Sequence, residues 1–253
     1  MGRFDGILLF SDFDRTLFCD GTVSRENADA IRYFQSEGGL FTVASGRSAS
    51  YFEQFRHLFV PNTYQVCMNG AQIYDPFAGR YLYEGKLGHE VFPLLSRILI
   101  AHPTIERVMI HIPGDLLEYD AKDPFLHTLS PHNMPLPYKI LFYVPTEESD
   151  AITQSVRALV GDDYNLSRSW INGLELLSRR DDKGQAIRRV RELLGDAVRQ
   201  TVCVGDYEND EHMLRAADLA YAVDNAVPAL KAIAHRITVP CEEHAIAKII
   251  SEL

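Results

Sequence analysis

The chain reads as an α/β protein whose parallel-sheet core is interrupted by an inserted α+β segment, and three observations lead there. Short apolar runs at residues 7–10, 40–44 and 200–204 are continuous rather than alternating, the pattern of strands buried on both faces. Amphipathic helical stretches separate these runs, which is the strand, helix, strand rhythm of parallel connections. Between residues 85 and 179 that rhythm stops and the elements follow an α+β order, the mark of a separate module. The expected division is therefore a core of 1–84 with 180–253, and an insert of 85–179.

Taken in order, the first run Ile7-Leu8-Leu9-Phe10 is bounded by Gly6 and opens into Ser11-Asp12-Phe13-Asp14-Arg15-Thr16-Leu17. A helix follows in which Ala28, Ile31 and Phe34 recur at helical spacing, with Ser24 as N-cap and Gly38-Gly39 as the stop. The second strand, Leu40-Phe41-Thr42-Val43-Ala44, delivers Ser45-Gly46-Arg47-Ser48. A helix over residues 50–59 and a third strand at 64–68 lead to Asn69-Gly70, and 72–74 with 80–83 form a hairpin that serves as the doorway to the insert. The insert reads as a helix near 89–101, strands at 107–111 and 139–144, an amphipathic helix over 147–159 and strands at 164–170 and 174–178, with a proline-rich stretch inside it. Alternation then resumes with a helix from Lys183 to Leu194 and the strand at 200–204, which ends in Gly205-Asp206-Tyr207-Glu208-Asn209-Asp210. A helix, a strand at 219–223, a helix at 227–234, a strand at 237–239 and a last helix from Glu242 complete the chain.

Composition narrows the function. The 253 residues are 46% hydrophobic and 24% charged, ordinary for a globular protein with a substantial core. A net charge of −10 repels phosphate backbones, so nucleic acid is excluded as a partner on bulk electrostatics. Small anionic substrates stay open, because a bound cation reverses the local field. No apolar run approaches a membrane span, and Met1-Gly2-Arg3-Phe4-Asp5 runs straight into the first strand, leaving no room for a signal peptide. Cys19, Cys67, Cys203 and Cys241 lack the paired spacing of a metal site, and Cys67 and Cys203, set in apolar runs, read as buried thiols. The compartment expected from these features is a reducing cytoplasm.

The carboxyl ends of parallel strands share one edge of a sheet, the edge where open α/β sheets bind ligands. Asp12, Asp14, Thr16, Ser45, Asp206, Asn209 and Asp210 are therefore expected to converge. In extended backbone Asp12 and Asp14 point the same way and can share a cation; they read equally as an Asp-rich turn that caps the next segment. Oxygen ligands without His or Cys suit a hard cation, Mg²⁺ above all. Such an ion beside a carboxylate nucleophile, hydroxyl donors and a lysine is the equipment of phosphoryl transfer. Lys183 stands in the first turn of its helix, where a cation opposes the macrodipole, and this favours a specific anionic partner over a solvated lysine. Asn209 reads as a helix N-cap or as support for the metal site, Thr16 and Ser45 as phosphate contacts or turn caps, and Arg47 as a substrate or insert contact or a surface arginine.

Four stretches, Asp12-Phe13-Asp14-Arg15-Thr16, Ser45-Gly46-Arg47, Lys183-Gly184-Gln185-Ala186 and Gly205-Asp206-Tyr207-Glu208-Asn209-Asp210, in this order and after these elements, resemble the motifs of the haloacid dehalogenase superfamily in its Cof-type, sugar-phosphatase-like branch. The resemblance covers both flanks, while the middle third matches in position and size alone. It implies a Rossmann-like α/β core with an inserted α+β cap, and a phosphoric monoester hydrolase dependent on Mg²⁺. It further implies that Asp12 attacks phosphorus to form an aspartyl phosphate and that Asp14 acts as acid and then base. The metal set would be Asp12, Asp14 through its backbone carbonyl, and Asp206, with Asn209 and Asp210 in support. Thr16, Ser45, Gly46, Arg47, Lys183 and Asn209 would meet the phosphate or substrate.

One position departs from the family, where Gly usually follows the second Asp and this chain has Arg15. Pointing inward, that cation alters substrate choice or rate; pointing outward, it changes nothing. The insert would close over the catalytic edge, with His111, Tyr119, His127, Tyr138, Tyr143 and Trp170 as candidate contacts to the leaving group of a sugar phosphate, nucleotide or phosphorylated cofactor. The rival readings are a phosphomutase or phosphotransferase using the same aspartyl phosphate, and a metabolite sensor that has kept the fold without turnover. The intact acidic and lysine set argues against the sensor.

Overall fold

Strand β1 (Ile7–Ser11) has Leu8, Leu9 and Phe10 fully buried, as continuous apolar sequence requires of a strand with neighbours on both edges. The computed structural model describes residues 2–253, which divide into two units: residues up to Tyr83 together with Asp182–Leu253, and Glu84–Asp181. After β1 a small antiparallel ribbon, β2 (Phe18–Cys19) and β3 (Thr22–Val23), leads into helix α1 (Arg25–Ser36). The helix starts where Ser24 Oγ accepts from Asn27 N, and it buries Ala28, Ile31 and Phe34. Strand β4 (Leu40–Val43) then returns parallel to β1.

Two expected elements in the next stretch are shorter in the structure. The helix over 50–59 is a shorter 3-10 helix at Ala49–Phe55, whose Phe52 and Phe55 pack with Phe59 around the Phe13 ring at centroid distances of 5.1, 5.1 and 6.2 Å. Aromatic packing, more than backbone propensity, shapes that segment. The third strand, expected at 64–68, is the shorter β5 (Gln65–Cys67), which meets the parallel sheet through a single Ala44–Val66 bridge and, by pairing antiparallel with β6 (Gln72–Asp75), joins the expected hairpin. The reason lies in Met68, Asn69 and Gly70, whose φ values of 50, 52 and 100° turn the chain back at once, so that β5 heads a small sheet ordered β5-β6-β7 with β7 (Arg80–Glu84).

The unit Glu84–Asp181 contains α2 (Val91–Ala101), β8 (Arg107–Ile112), β9 (Asp115–Asp120), β10 (Lys139–Tyr143), α3 (Ser149–Val160), β11 (Tyr164–Trp170) and β12 (Gly173–Ser178). Its antiparallel sheet is ordered β11-β12-β10-β8-β9. Strand β9 escapes a sequence reading because it is a largely exposed edge strand with acidic ends. Leu95 and Ile98 of α2 and Val156 of α3 share one core with Ile110, Ile140, Phe142 and Leu174 of the sheet. Inside this unit the buried Lys139 Nζ lies 3.0 Å from the buried Glu175 Oε1.

The first unit resumes with α4 (Lys183–Leu194), β13 (Gln200–Gly205), α5 (Glu211–Ala216), β14 (Leu219–Ala222), α6 (Pro228–Lys231), β15 (Arg236–Ile237) and α7 (Ala245–Glu252). All five strands of its main sheet are parallel, in the order β15-β14-β13-β1-β4. Register sets Ser11 opposite both Val204 and Val43, so three strand ends are level. The last helix begins at Ala245, after a 3-10 turn at Cys241–Glu243. Cys67 and Cys203 are free and buried as expected, whereas Cys19 and Cys241, 222 residues apart, are joined as a disulfide with Cα atoms 6.2 Å apart. Among the described residues no helix is long and apolar enough to cross a membrane.

Candidate active site

The site begins where β1 ends. Asp12 N still donates to Val204 O across the sheet at 2.9 Å, which fixes the first residue of the loop, and the Asp12 side chain is buried. Opposite it, Asp182 caps α4 by accepting from Gln185 N at 2.7 Å, and the next residue, Lys183, is completely buried. Lys183 Nζ lies 2.5 Å from Asp12 Oδ1 and 2.6 Å from Asp210 Oδ1. Gly184 permits this approach, since a Cβ there would stand 2.3 Å from His212 O. The other oxygen of Asp210 accepts from Asp206 N at 2.9 Å and Tyr207 N at 3.2 Å, holding the turn after β13 against the lysine.

Three buried carboxylates, Asp12, Asp206 and Asp210, present oxygens within 4.8 Å of one another, and Lys183 supplies one positive charge among them. Burial, with Asp210 and Asp14 adding to it and Lys183 opposing, pushes Asp12 up to about 7. Burial, Asp12 and Asp210 push Asp206 up to about 8 against the pull of Arg15 and Lys183. Lys183 moves the other way: burial works against its charge, but Asp12 and Asp210 outweigh that and hold it above the ordinary lysine range. Asp206 Oδ2 is buried without a hydrogen bond. A buried carboxylate oxygen that accepts no hydrogen bond, in a cluster with excess negative charge, fits a hard divalent cation bound by oxygens.

The remaining expected residues lie around this cluster. Asp14 accepts from Arg47 Nε and Nη2, both at 3.0 Å, a bidentate fork in which both side chains are partly exposed. Arg47 also lies over the Tyr51 ring, 4.6 Å from its centroid. Ser45 is buried and its Oγ accepts from Arg47 N at 3.2 Å across Gly46. Thr16 is buried inside the turn with Oγ1 making no hydrogen bond, so it caps no helix. Asn209 does not cap a helix either: α5 starts at Glu211, and Asn209 Nδ2 donates to Asn69 Oδ1 at 3.2 Å.

Two residues, Asn69 and Asn225, enter the site without a role in the sequence reading, and the open direction of Arg15 is resolved. Asn69 is buried in a left-handed conformation and its N donates to Ser45 O at 2.9 Å, so it ties the Ser45 loop to Asn209. The Asn69-Gly70 pair was a usable turn signal, since these two residues tolerate positive φ. Arg15 turns inward, with Nε 3.2 Å from Asp206 Oδ2. Asn225 donates from Nδ2 to Arg15 O and accepts at Oδ1 from Cys241 N, each at 2.9 Å, a role that no local pattern announces.

A family model for haloacid dehalogenase-like hydrolases matches residues 9–250, nearly the whole chain. The protein belongs to the haloacid dehalogenase-like hydrolases. Within them its likeness is to the Cof-type phosphatases. Phosphatase YwpJ of Bacillus subtilis (strain 168) is 27% identical, over 97% of this chain and 99% of that protein. HMP-PP phosphatase of Yersinia enterocolitica is 26% identical, over 93% and 91%. The solved structure of a haloacid dehalogenase-like hydrolase from B. subtilis superposes with a TM-score of 0.80 at 25% identity, over 97% of this chain and 99% of that one. This hydrolase is accordingly an enzyme of the phosphatase type. Its arrangement suits that chemistry: a buried carboxylate oriented by a lysine, a second carboxylate two residues on, and an acidic cluster able to hold a metal.

Proposed function

We propose that this hydrolase is a Mg²⁺-dependent phosphatase of a small phosphorylated metabolite and works through an aspartyl phosphate on Asp12. The observation that carries the reading is Lys183 Nζ held between Asp12 Oδ1 and Asp210 Oδ1, with Asp206 alongside. Lys183 favours the ionised form of Asp12, the form that is nucleophilic, against the pull of burial. The Asp12 carboxylate forms a bond to phosphorus as the ester P–O bond breaks, and Asp14 gives its proton to the departing oxygen. Asp14 then takes a proton from water, whose oxygen attacks the phosphoryl group, frees phosphate and regenerates Asp12.

The Arg47 fork orients Asp14 for both transfers. Asp12, Asp206 and the Asp14 carbonyl would hold Mg²⁺, with Asp210 and Asn209 in support, and the ion would neutralise charge on the phosphate oxygens. Ser45, Gly46, Arg47, Lys183, Thr16 and Asn209 form the phosphate side of the site in this reading. The segment 85–179 acts as the cap that chooses the leaving group, a sugar phosphate, nucleotide or phosphorylated cofactor. Partners are such small molecules, without nucleic acid or membrane, and the compartment is the cytoplasm.

The test is release of phosphate from p-nitrophenyl phosphate with and without Mg²⁺. Asp12→Asn is expected to lose at least about a thousandfold in turnover. Equal turnover by the variant removes Asp12 as nucleophile, and turnover indifferent to chelator removes the metal.

A further inference from the structure

Arg15 holds a φ of 62°, a conformation that costs an L-residue and that glycine takes freely. It is pinned there from both sides, since its N donates to Phe18 O at 2.8 Å and its carbonyl accepts from Asn225 Nδ2 at 2.9 Å. The side chain is 60% exposed, yet its guanidinium turns back toward the buried acids instead of extending into solvent. Nε stands 3.2 Å from Asp206 Oδ2, while Nη2 donates to Asn225 O at 3.5 Å. Asp206 Oδ2 is the buried oxygen that lacks a hydrogen bond, so the guanidinium approaches it as a charge alone.

We propose that Arg15 is a resident counter-ion of Asp206 which a divalent cation must displace on entering the Asp12–Asp206–Asp210 cluster, so that this one exposed residue sets the metal affinity of the site. The inference rests on the reading that the cluster takes a divalent cation. Two effects act in the same direction: the guanidinium competes for Asp206 Oδ2, and wherever it swings within a few ångströms it repels the incoming ion. Because the side chain is mostly solvated, each effect is modest. Together they amount to a ratio of about 3–10 in affinity.

The experiment is calorimetric titration of Mg²⁺ into the full chain without substrate, comparing wild type with Arg15→Gly, Arg15→Gln and Arg15→Lys at two salt concentrations. Arg15→Gly and Arg15→Gln are expected to bind Mg²⁺ about 3–10-fold more tightly than wild type, the advantage shrinking at high salt, while Arg15→Lys stays near wild type. Tightening by Arg15→Gly alone would assign the effect to the backbone and overturn the proposal, as would equal or weaker binding by both uncharged variants. Binding in none of the four would overturn the metal reading itself, and this inference with it.

Discussion

Lys183 and Lys139 are buried to nearly the same degree, at 0% and 3% exposure, and each meets a buried carboxylate. Lys139 faces Glu175 across neighbouring strands of one unit, charge against charge. Lys183 in the other unit serves two acids directly and has a third beside them. The difference lies in what surrounds the lysine: three buried carboxylates gather around Lys183. Opposite charges can compensate each other's burial, whereas an acidic excess leaves a demand for further positive charge, which a divalent cation can meet. Arg15 leaning on Asp206 is the same demand met from within the chain.

The comparison breaks first under charge removal. Lys139→Met leaves Glu175 buried opposite an apolar group and is expected to cost about 3–5 kcal/mol in urea unfolding, most of which returns when Glu175→Leu is added. The doubly substituted protein stays a phosphatase. The equivalent change in the other unit, Lys183→Met with Asp210→Leu, is expected to release no measurable phosphate, since the role proposed for Lys183 depends on its charge. Recovery of activity by that second pair would erase the distinction.

A smaller effect sharpens the comparison through pH. Asp12 and Asp206 lie above the usual carboxylate value of 3.8 in the fold, at about 7 and about 8, so folding favours their protonated forms. The stability they contribute is complete below pH 3.8 and is lost as pH rises through 7 and 8. Metal binding favours the ionised forms. The rise in melting temperature on adding Mg²⁺ is therefore expected to grow between pH 6 and pH 9, and a rise that is flat across that range would show that the acids are not strained toward protonation.

The smallest effect concerns how Lys183 is aimed. Asp182→Ala removes the cap of α4, at a cost of about 1 kcal/mol in the urea midpoint. His212 Nδ1 lies 3.2 Å from Asp182 Oδ2, and although burial opposes it, hydrogen bonds from His212 and Gln185 bring Asp182 down to about 2. Since that lowered value adds stability which is lost only as pH falls from 3.8 through 2, the cost of Asp182→Ala should persist at pH 6 and vanish in strong acid.

What could be read without coordinates was local. Continuous apolar runs that stop at Asp12, Ser45 and Asp206 predict parallel strands and the edge where they end, because burial on two faces leaves a one-dimensional trace. A lysine placed against a helix dipole predicts an anionic partner, and Lys183 meets two. The antiparallel pairing of β5 with β6 left no trace beyond the Asn69-Gly70 turn signal, since the positive φ of Met68 is a backbone choice that no residue type announced. Nor did the exposed edge strand β9, with its acidic ends.

Sequence by itself determined the α/β architecture of the core, the acidic character of its strand ends and the chemistry those residues can perform. Tertiary structure alone decided the pairings: Cys19 with Cys241, Asn69 with Asn209, Arg47 with Asp14 and Arg15 with Asp206. Periodicity and propensity act over a few residues and are written into short stretches of chain. The contact between Asn69 and Asn209 spans 140 residues, so its geometry exists only once the intervening chain has folded.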